Sequence, residues 1–425
     1  GPAAPAAPVG AASRAPARPR PVECVSSASR AHEVVSELLA KLASACEQSN
    51  GGGTAEAAVD TASAPAVALD CEGVRLGRFG RLCMVQLAEE AVGGAVGGRD
   101  LGRLFLLDAL RPGVVEALAP LLESRAVAKV MHDCREDSAA LFHQHGVRLQ
   151  AVFDTQAAQV SLDSRASEMP RQASMQELLG RYLRVEEPPE LAEVKALMLQ
   201  DPQLWTRRPL PGLLVRYALH GVDQLLPLRT AILDAAAPAG LVGPGGASGD
   251  TAGALLNEMV HASQRAADYC LLNREFPSAA SMAKIGTRLW AYVAARTDVG
   301  IYFKLNAGRV GLASTAAAID RFNDVRLGDI VLCCVSGVSI NGSYLYLDRY
   351  DHDWDYFDHQ LRPTGEREVG AFARELRYSP SLFAPPDDVD PLIVRGLPGG
   401  ETGAGLDDWE STYDDLGHSA ALDDL

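Results

Sequence analysis

The sequence contains no Cys-x-x-Cys pair, although eight cysteines are spread over its 425 residues. It has no pair of histidines four residues apart either, so a zinc site has no support. Cys71, Cys83, Cys134, Cys333 and Cys334 fall in or beside apolar, strand-like runs, the pattern of reduced, buried thiols in an intracellular protein. No apolar run approaches the ~20 residues that cross a bilayer, so no membrane partner is expected. Net positive charge is lacking too. A formal charge of −16 argues against a uniformly basic nucleic-acid binder, though it leaves room for a local basic groove or metal-mediated phosphate contact. Gly308-Arg-Val-Gly311 lacks the Lys-Ser/Thr of a phosphate loop, and there are no internal repeats. Asp and Glu are absent from residues 1–22, which are rich in Ala, Pro and Arg (Arg14, Arg18, Arg20). That stretch reads as a disordered leader or the remnant of a transit peptide; mitochondrion, plastid and cytoplasm all stay open.

What is present divides the chain by composition. Residues 23–47 carry Val34, Val35, Leu38, Leu39 and Leu42 at helical spacing, and the segment 23–63 is expected to be a helix followed by a Gly-rich linker. From 64 to 235 strand and helix patterns alternate: Ala66–Asp70, Leu82–Ala88, Leu104–Asp108, helix Val114–Ser124, Ala128–His132, helix Arg135–His145 and Ala151–Asp154. Three early strands, then strand and helix in turn, predict an α/β domain with a mixed sheet flanked by helices. A Gly/Pro-rich linker spans 236–252. Residues 253–395 are expected to form a helical connector, with helices over Leu255–Asn273 and Ala279–Ala295, and then a small β-rich module. In that module Asp329–Val335 and Tyr344–Asp348 flank an Asn341-Gly342 turn as a hairpin. Residues 396–425 read as an acidic, disordered tail.

The chemistry starts at Val67-Ala68-Leu69-Asp70-Cys71-Glu72-Gly73. Residues i and i+2 of a strand share a face, so Asp70 and Glu72 present two carboxylates together, a ready oxygen site for Mg²⁺ or Mn²⁺. Downstream, Lys129-Val-Met-His132-Asp133-Cys134-Arg135-Glu136-Asp137 ends a strand and opens a helix, with Asp137 in the first turn. An acid there also complements the helix dipole without any catalytic role. Asp154, in Asp154-Thr155-Gln156, reads as a helix N-cap.

Trp205-Thr-Arg-Arg208-Pro209-Leu210 follows, then Tyr217-Ala-Leu-His-Gly221-Val222-Asp223-Gln-Leu225-Leu226-Pro227-Leu228. Taken together, these motifs resemble the DEDDy 3′–5′ exonucleases, most of all the ribonuclease D-related, egalitarian-like proteins. The resemblance covers residues 64–235 and implies a ribonuclease H-like fold. It also implies a two-metal mechanism, with ions ~4 Å apart across the scissile phosphate. By the resemblance, Asp70 would bridge both ions, Glu72 would hold the first ion and the water, Asp137 would support the second, and Tyr217 would orient the water. The family's third motif is Tyr-x-x-x-Asp, whereas the residue four after Tyr217 is Gly221. Asp223 lies about 200° around the helix from position 221 and is expected to face away. Asp133 and His132, on the loop after the strand, are weaker substitute candidates.

A missing anionic ligand predicts weak or absent catalysis on a fold that keeps its nucleic-acid groove. The expected function is therefore nucleic-acid binding, RNA favoured, in an RNA-processing or ribonucleoprotein complex with protein partners. The alternatives are an active exonuclease on RNA or single-stranded DNA, and a structural subunit. Two further strings stand outside these motifs. Tyr350–His359, dense in Asp, His and aromatics, reads as a solvated acidic face. Arg326–Gly337 is similar in rhythm to the first strand of S1-like OB barrels, with Tyr344 and Tyr346 alternating with Leu345 and Leu347 on the next strand.

Overall fold

The structure is a computed structural model that describes residues 20–49, 64–90, 102–165, 170–237 and 250–350. Most of the expected leader, the two linkers, the acidic tail and residues 351–359 of the Tyr350–His359 string lie outside the described residues.

Six strands build the first sheet: β1 (Val22–Val25), β2 (Ala66–Val74), β3 (Arg81–Glu89), β4 (Leu104–Asp108), β5 (Ala128–Met131) and β6 (Val152–Asp154). Their order is β1-β4-β3-β2-β5-β6. β2, β3 and β4 run antiparallel as a meander, β5 and β6 follow parallel to β2, and β1 is parallel to β4. This is the mixed sheet that the alternating pattern predicts, in the ribonuclease H-like form that the resemblance implies. The central strands are buried on both faces, which explains near-continuous apolar runs such as Val67-Ala68-Leu69.

Helices cover both faces. On one lie α1 (Ala28–Ser49), the short α2 (Ala119–Leu122) and α3 (Arg135–His145), over a core that includes Val34, Leu38, Leu42, Leu69, Cys71, Leu87 and Leu141. On the other, α4 (Thr155–Arg165), α5 (Met175–Leu178), α6 (Pro189–Gln200), α7 (Gly212–Asp223) and α8 (Leu225–Ala236) cover Ala66, Ala68, Val130 and Phe153 at the centre, and Met84 and Leu106 beyond.

Two expectations at the N-terminus need correction. The helix expected over 23–47 starts only at Ala28, because Val22-Glu-Cys-Val pairs with Leu104–Leu107 as an edge strand. Arg20 and Val22, placed by the sequence in the leader, belong to the fold. Arg20 donates to the Glu89 carbonyl at 2.6 Å and pairs with Asp223 at 2.8 Å.

Beyond residue 250, α9 (Asp250–Ala267) leads through a 3₁₀ turn, Asp268–Leu271, to the short α10 (Ala279–Met282). Then β7 (Arg288–Arg296), β8 (Ile301–Lys304), β9 (Val310–Ala313), α11 (Ala316–Asp320), β10 (Ile330–Val338) and β11 (Tyr344–Arg349) form a closed barrel. Going round it, β7, β8 and β9 are successive antiparallel neighbours, β11 runs parallel to β9, and β10 closes between β11 and β7.

The helix expected over Ala279–Ala295 is therefore wrong for most of its length. The chain turns through Gly286 at φ 85° and becomes a barrel strand, in which Leu289, Ala291 and Val293 point into the core. Closure of the barrel outweighs the helix preference of an Ala-rich segment. The Arg326–Gly337 run is the fourth strand of this barrel and not its first. Leu345 and Leu347 are buried while Tyr344 and Tyr346 are half-buried, the alternation the sequence predicts.

Candidate active site

Asp70, at the middle of β2, and Glu72, two residues on, stand level with the loop that starts at His132 after β5. They lie on the face covered by α7, whereas Cys71 between them faces the core beneath α3. Burial raises the Asp70 carboxyl from its ordinary 3.8 to about 6, with the Cys71 backbone amide opposing. Glu72, 9% exposed, is raised further by burial and then by Asp70 and Asp137. Directly across the ladder from Asp70 sits Gln86, fully buried, with neither side-chain atom partnered.

Asp137 arrives from the first turn of α3, 6% exposed. Burial and then Asp70 raise its carboxyl, while the Cys71 thiol hydrogen-bonds to it and opposes the rise. Its Oδ1 is buried without a partner. None of the three carboxylates has an ion-pair partner among the described residues. Their donor chemistry, hard and anionic, suits Mg²⁺ or Mn²⁺. Their arrangement falls short: among the described residues no three His, Cys, Asp or Glu side chains converge closely enough to hold an ion. Asp70 acts on the Asp137 carboxyl and Asp137 in turn on Glu72, so the three acids crowd one another without a paired basic side chain among the described residues.

α7 supplies the roof. Burial, followed by Glu72 and Asp70, lifts the Tyr217 hydroxyl well above the ordinary phenol range, so Tyr217 stays protonated beside both acids. Its ring packs on Trp205, with centroids 6.0 Å apart. One turn on, Gly221 faces Asp70: a Cβ at 221 would stand 2.9 Å from Asp70 Oδ2. The glycine thus occupies the place over Asp70 from which a side chain would reach the carboxylates.

Neither substitute acid fills that place. Asp223 pairs with Arg20. Asp133, at φ 53°, is bound by Arg135 through two bonds of 2.5 and 2.7 Å. Burial alone would raise its carboxyl, but the guanidinium outweighs burial and holds it far below the carboxylate range. His132 Nδ1 shares a hydrogen bond with Thr155 Oγ1 at 2.9 Å, and burial keeps the ring neutral. Asp154 accepts from the Cys134, Gln156 and Ala157 amides, capping α4 and tying it to the loop that leads into α3.

A family profile described as 3′–5′ exonuclease matches residues 51–235. Residues 51–235 belong to the 3′–5′ exonuclease domain family. The exonuclease domain is 34% identical over 173 residues to the piRNA biogenesis protein EXD1 of Mus musculus, a match covering 38% of this chain and 28% of that protein. With the Homo sapiens protein of the same name it shares 32% over 173 residues, covering 38% and 31%. The chain therefore spans about a third of the length of these relatives. Among solved structures, Trypanosoma brucei RNase D aligns with 59% of this chain and 72% of its own, at 22% identity and a TM-score of 0.40.

Three residues of the exonuclease domain carry roles that the motifs alone do not reveal. Gln86 is a lone amide in the apolar strand Leu82–Ala88, and that isolation was the available signal. The Cys71 thiol sits beside Asp137 and slightly opposes the rise of its carboxyl, which no spacing rule marks. Arg208 donates to Asp108 Oδ1 at 2.6 Å and to the Cys83 carbonyl at 2.9 Å. The Trp-x-x-Arg-Pro-Leu motif thereby clamps β3 and β4 under α7 through Arg208, and backs Tyr217 through Trp205.

Proposed function

We propose that this chain binds RNA through an exonuclease domain of weak or absent catalysis and acts in RNA processing alongside protein partners. The observation that carries the reading is Gly221, whose missing side chain would project onto Asp70. By the family resemblance the matching acids would hold divalent ions that lower the pKa of an attacking water and stabilise the leaving 3′ oxygen, but here Asp70, Glu72 and Asp137 do not converge closely enough to hold one. Three acids stand where the family's site uses four. Tyr217, kept protonated, is able to donate to a water or a phosphate oxygen but not to act as a base. Similarity to proteins named for piRNA biogenesis supports a place in small-RNA metabolism. The closed barrel, which we read as OB-type, suits a single-strand partner through Tyr302 and Tyr344, rings 6.5 Å apart near its surface.

An active exonuclease is the second reading, favoured by the retention of Asp70, Glu72, Asp137 and Tyr217. One assay separates the two. The full chain is incubated with 3′-labelled RNA and Mg²⁺ or Mn²⁺, beside Asp70→Ala. The first reading expects salt-sensitive RNA binding without appreciable shortening of the strand. Shortening that Asp70→Ala abolishes establishes the second, and loss of binding as well as cleavage removes both.

A further inference from the structure

A cleft of about 240 Å³ opens between the exonuclease domain and the barrel, lined by Asp133 and Arg135 and not by Asp70, Glu72 or Asp137. It is polar, and its donors and acceptors are unequally satisfied. Each of its four acids is engaged: Asp133 by Arg135, Asp154 by three backbone amides, Asp329 by the Arg326 amide and Glu258 by Arg165. The three arginines of the same lining keep donors to spare. Arg135, 2% exposed and stacked 4.8 Å over the Tyr292 ring, has an Nη1 buried without a partner. Arg265 spends only its Nε, on the Gly328 carbonyl at 3.0 Å. The Arg326 guanidinium bonds to nothing among the described residues. One arginine comes from the exonuclease domain, one from α9 and one from the β10 approach, so the surplus exists only because the two domains are docked.

We propose that this interdomain cleft is a phosphate-binding site, separate from the carboxylates. Guanidinium groups match phosphate oxygens in geometry as well as charge, and a tetrahedral oxyanion can take donors from three directions at once. The volume, several times the ~30 Å³ share of one water, admits a phosphate with part of a nucleotide attached. A free phosphate ester and an RNA phosphate present the same chemistry here. The inference does not depend on the RNA-binding reading, since inorganic phosphate alone would fill the cleft.

The test uses the full chain in chloride buffer with EDTA, which keeps metals from the carboxylates. Inorganic phosphate, a nucleoside 5′-monophosphate, and short RNAs with and without a 5′-phosphate are titrated by calorimetry, with the thermal midpoint as a second readout. Arg135 holds Asp133 in a strained loop, so the informative variant is the double replacement Arg265→Gln with Arg326→Gln. The expected result is a phosphate-dependent rise in midpoint, and affinity at least about tenfold weaker in the double variant. Asp70→Ala should bind phosphate like the wild type, which separates this site from the candidate active site. Tighter binding of the monophosphate than of phosphate identifies a free nucleotide. A requirement for the 5′-phosphate identifies an RNA end, and indifference to it identifies the RNA backbone. No phosphate response up to ~10 mM, or an equal response in the double variant, overturns the proposal.

Discussion

At position 221 a new side chain would start 2.9 Å from an Asp70 oxygen, so an aspartate there must either share a cation with Asp70 or repel it. Gly221→Asp is therefore expected to raise Mn²⁺-dependent shortening of 3′-labelled RNA by at least about tenfold over wild type. The same variant should be less stable than wild type in EDTA and gain more in thermal midpoint from added Mn²⁺. If neither changes, something other than the missing ligand limits the chemistry. The buried acids also set a pH dependence. Asp70 titrates near 6 when folded and near 3.8 when free, so the folded state holds the extra proton between those values. Stability from this group is present in full below 3.8 and is lost as pH climbs through 6. Asp70→Asn should raise the unfolding free energy of the metal-free protein by about 1–3 kcal/mol at pH 7 and flatten its decline with pH, read by urea titration.

Among the elements, α7 depends on what lies beneath and beside it. Arg208 fixes the ends of β3 and β4, and Trp205 backs the Tyr217 ring. Replacing Arg208 with Ala removes the bond to the Cys83 carbonyl and leaves Asp108 only the Arg111 side chain and the Leu110 amide, at a cost of about 2 kcal/mol in urea unfolding. Strands β2 to β6, β10, β11 and the α3 boundaries were legible in the sequence because local rules govern them: alternation, helical spacing, a Gly146 stop at φ 70°; β1, β8 and β9 were not. β7 was not legible, because an Ala-rich run becomes a strand only when β8 and β10 stand ready on either side. Asp70 and Glu72 could be named from strand alternation, Asp137 and Tyr217 only through the family resemblance. The pull of Cys71 on Asp137 could not, since it depends on which way one carboxylate turns in three dimensions.

On the scale of the whole molecule, the barrel is joined to the exonuclease domain by a buried apolar cluster that includes Ala139, Leu271, Trp290 and Ile330, and by directed contacts around it. Asn273, fully buried at φ 56°, bonds to the Trp290 amide and carbonyl and to the Leu305 carbonyl. Arg78 donates to the Asn273 and Phe276 carbonyls from the exonuclease side, and Tyr269 links Glu136 to the Asn306 amide. Asn273→Ala removes the side-chain bonds at the centre of this joint, a loss of about 2–4 kcal/mol in docking. Calorimetry should then show two unfolding transitions where the wild type shows one; a single unshifted transition would mean the domains do not depend on that joint. Four residues of edge strand lie upstream of everything the family profile matches. Val22–Val25 occupies the outer ladder of β4, and α1 shields the adjoining core. A fragment trimmed to 51–235 would leave that rim bare, its amides and carbonyls unzipped and sticky toward any passing strand, so its clumping would report on the cut and not on the native molecule.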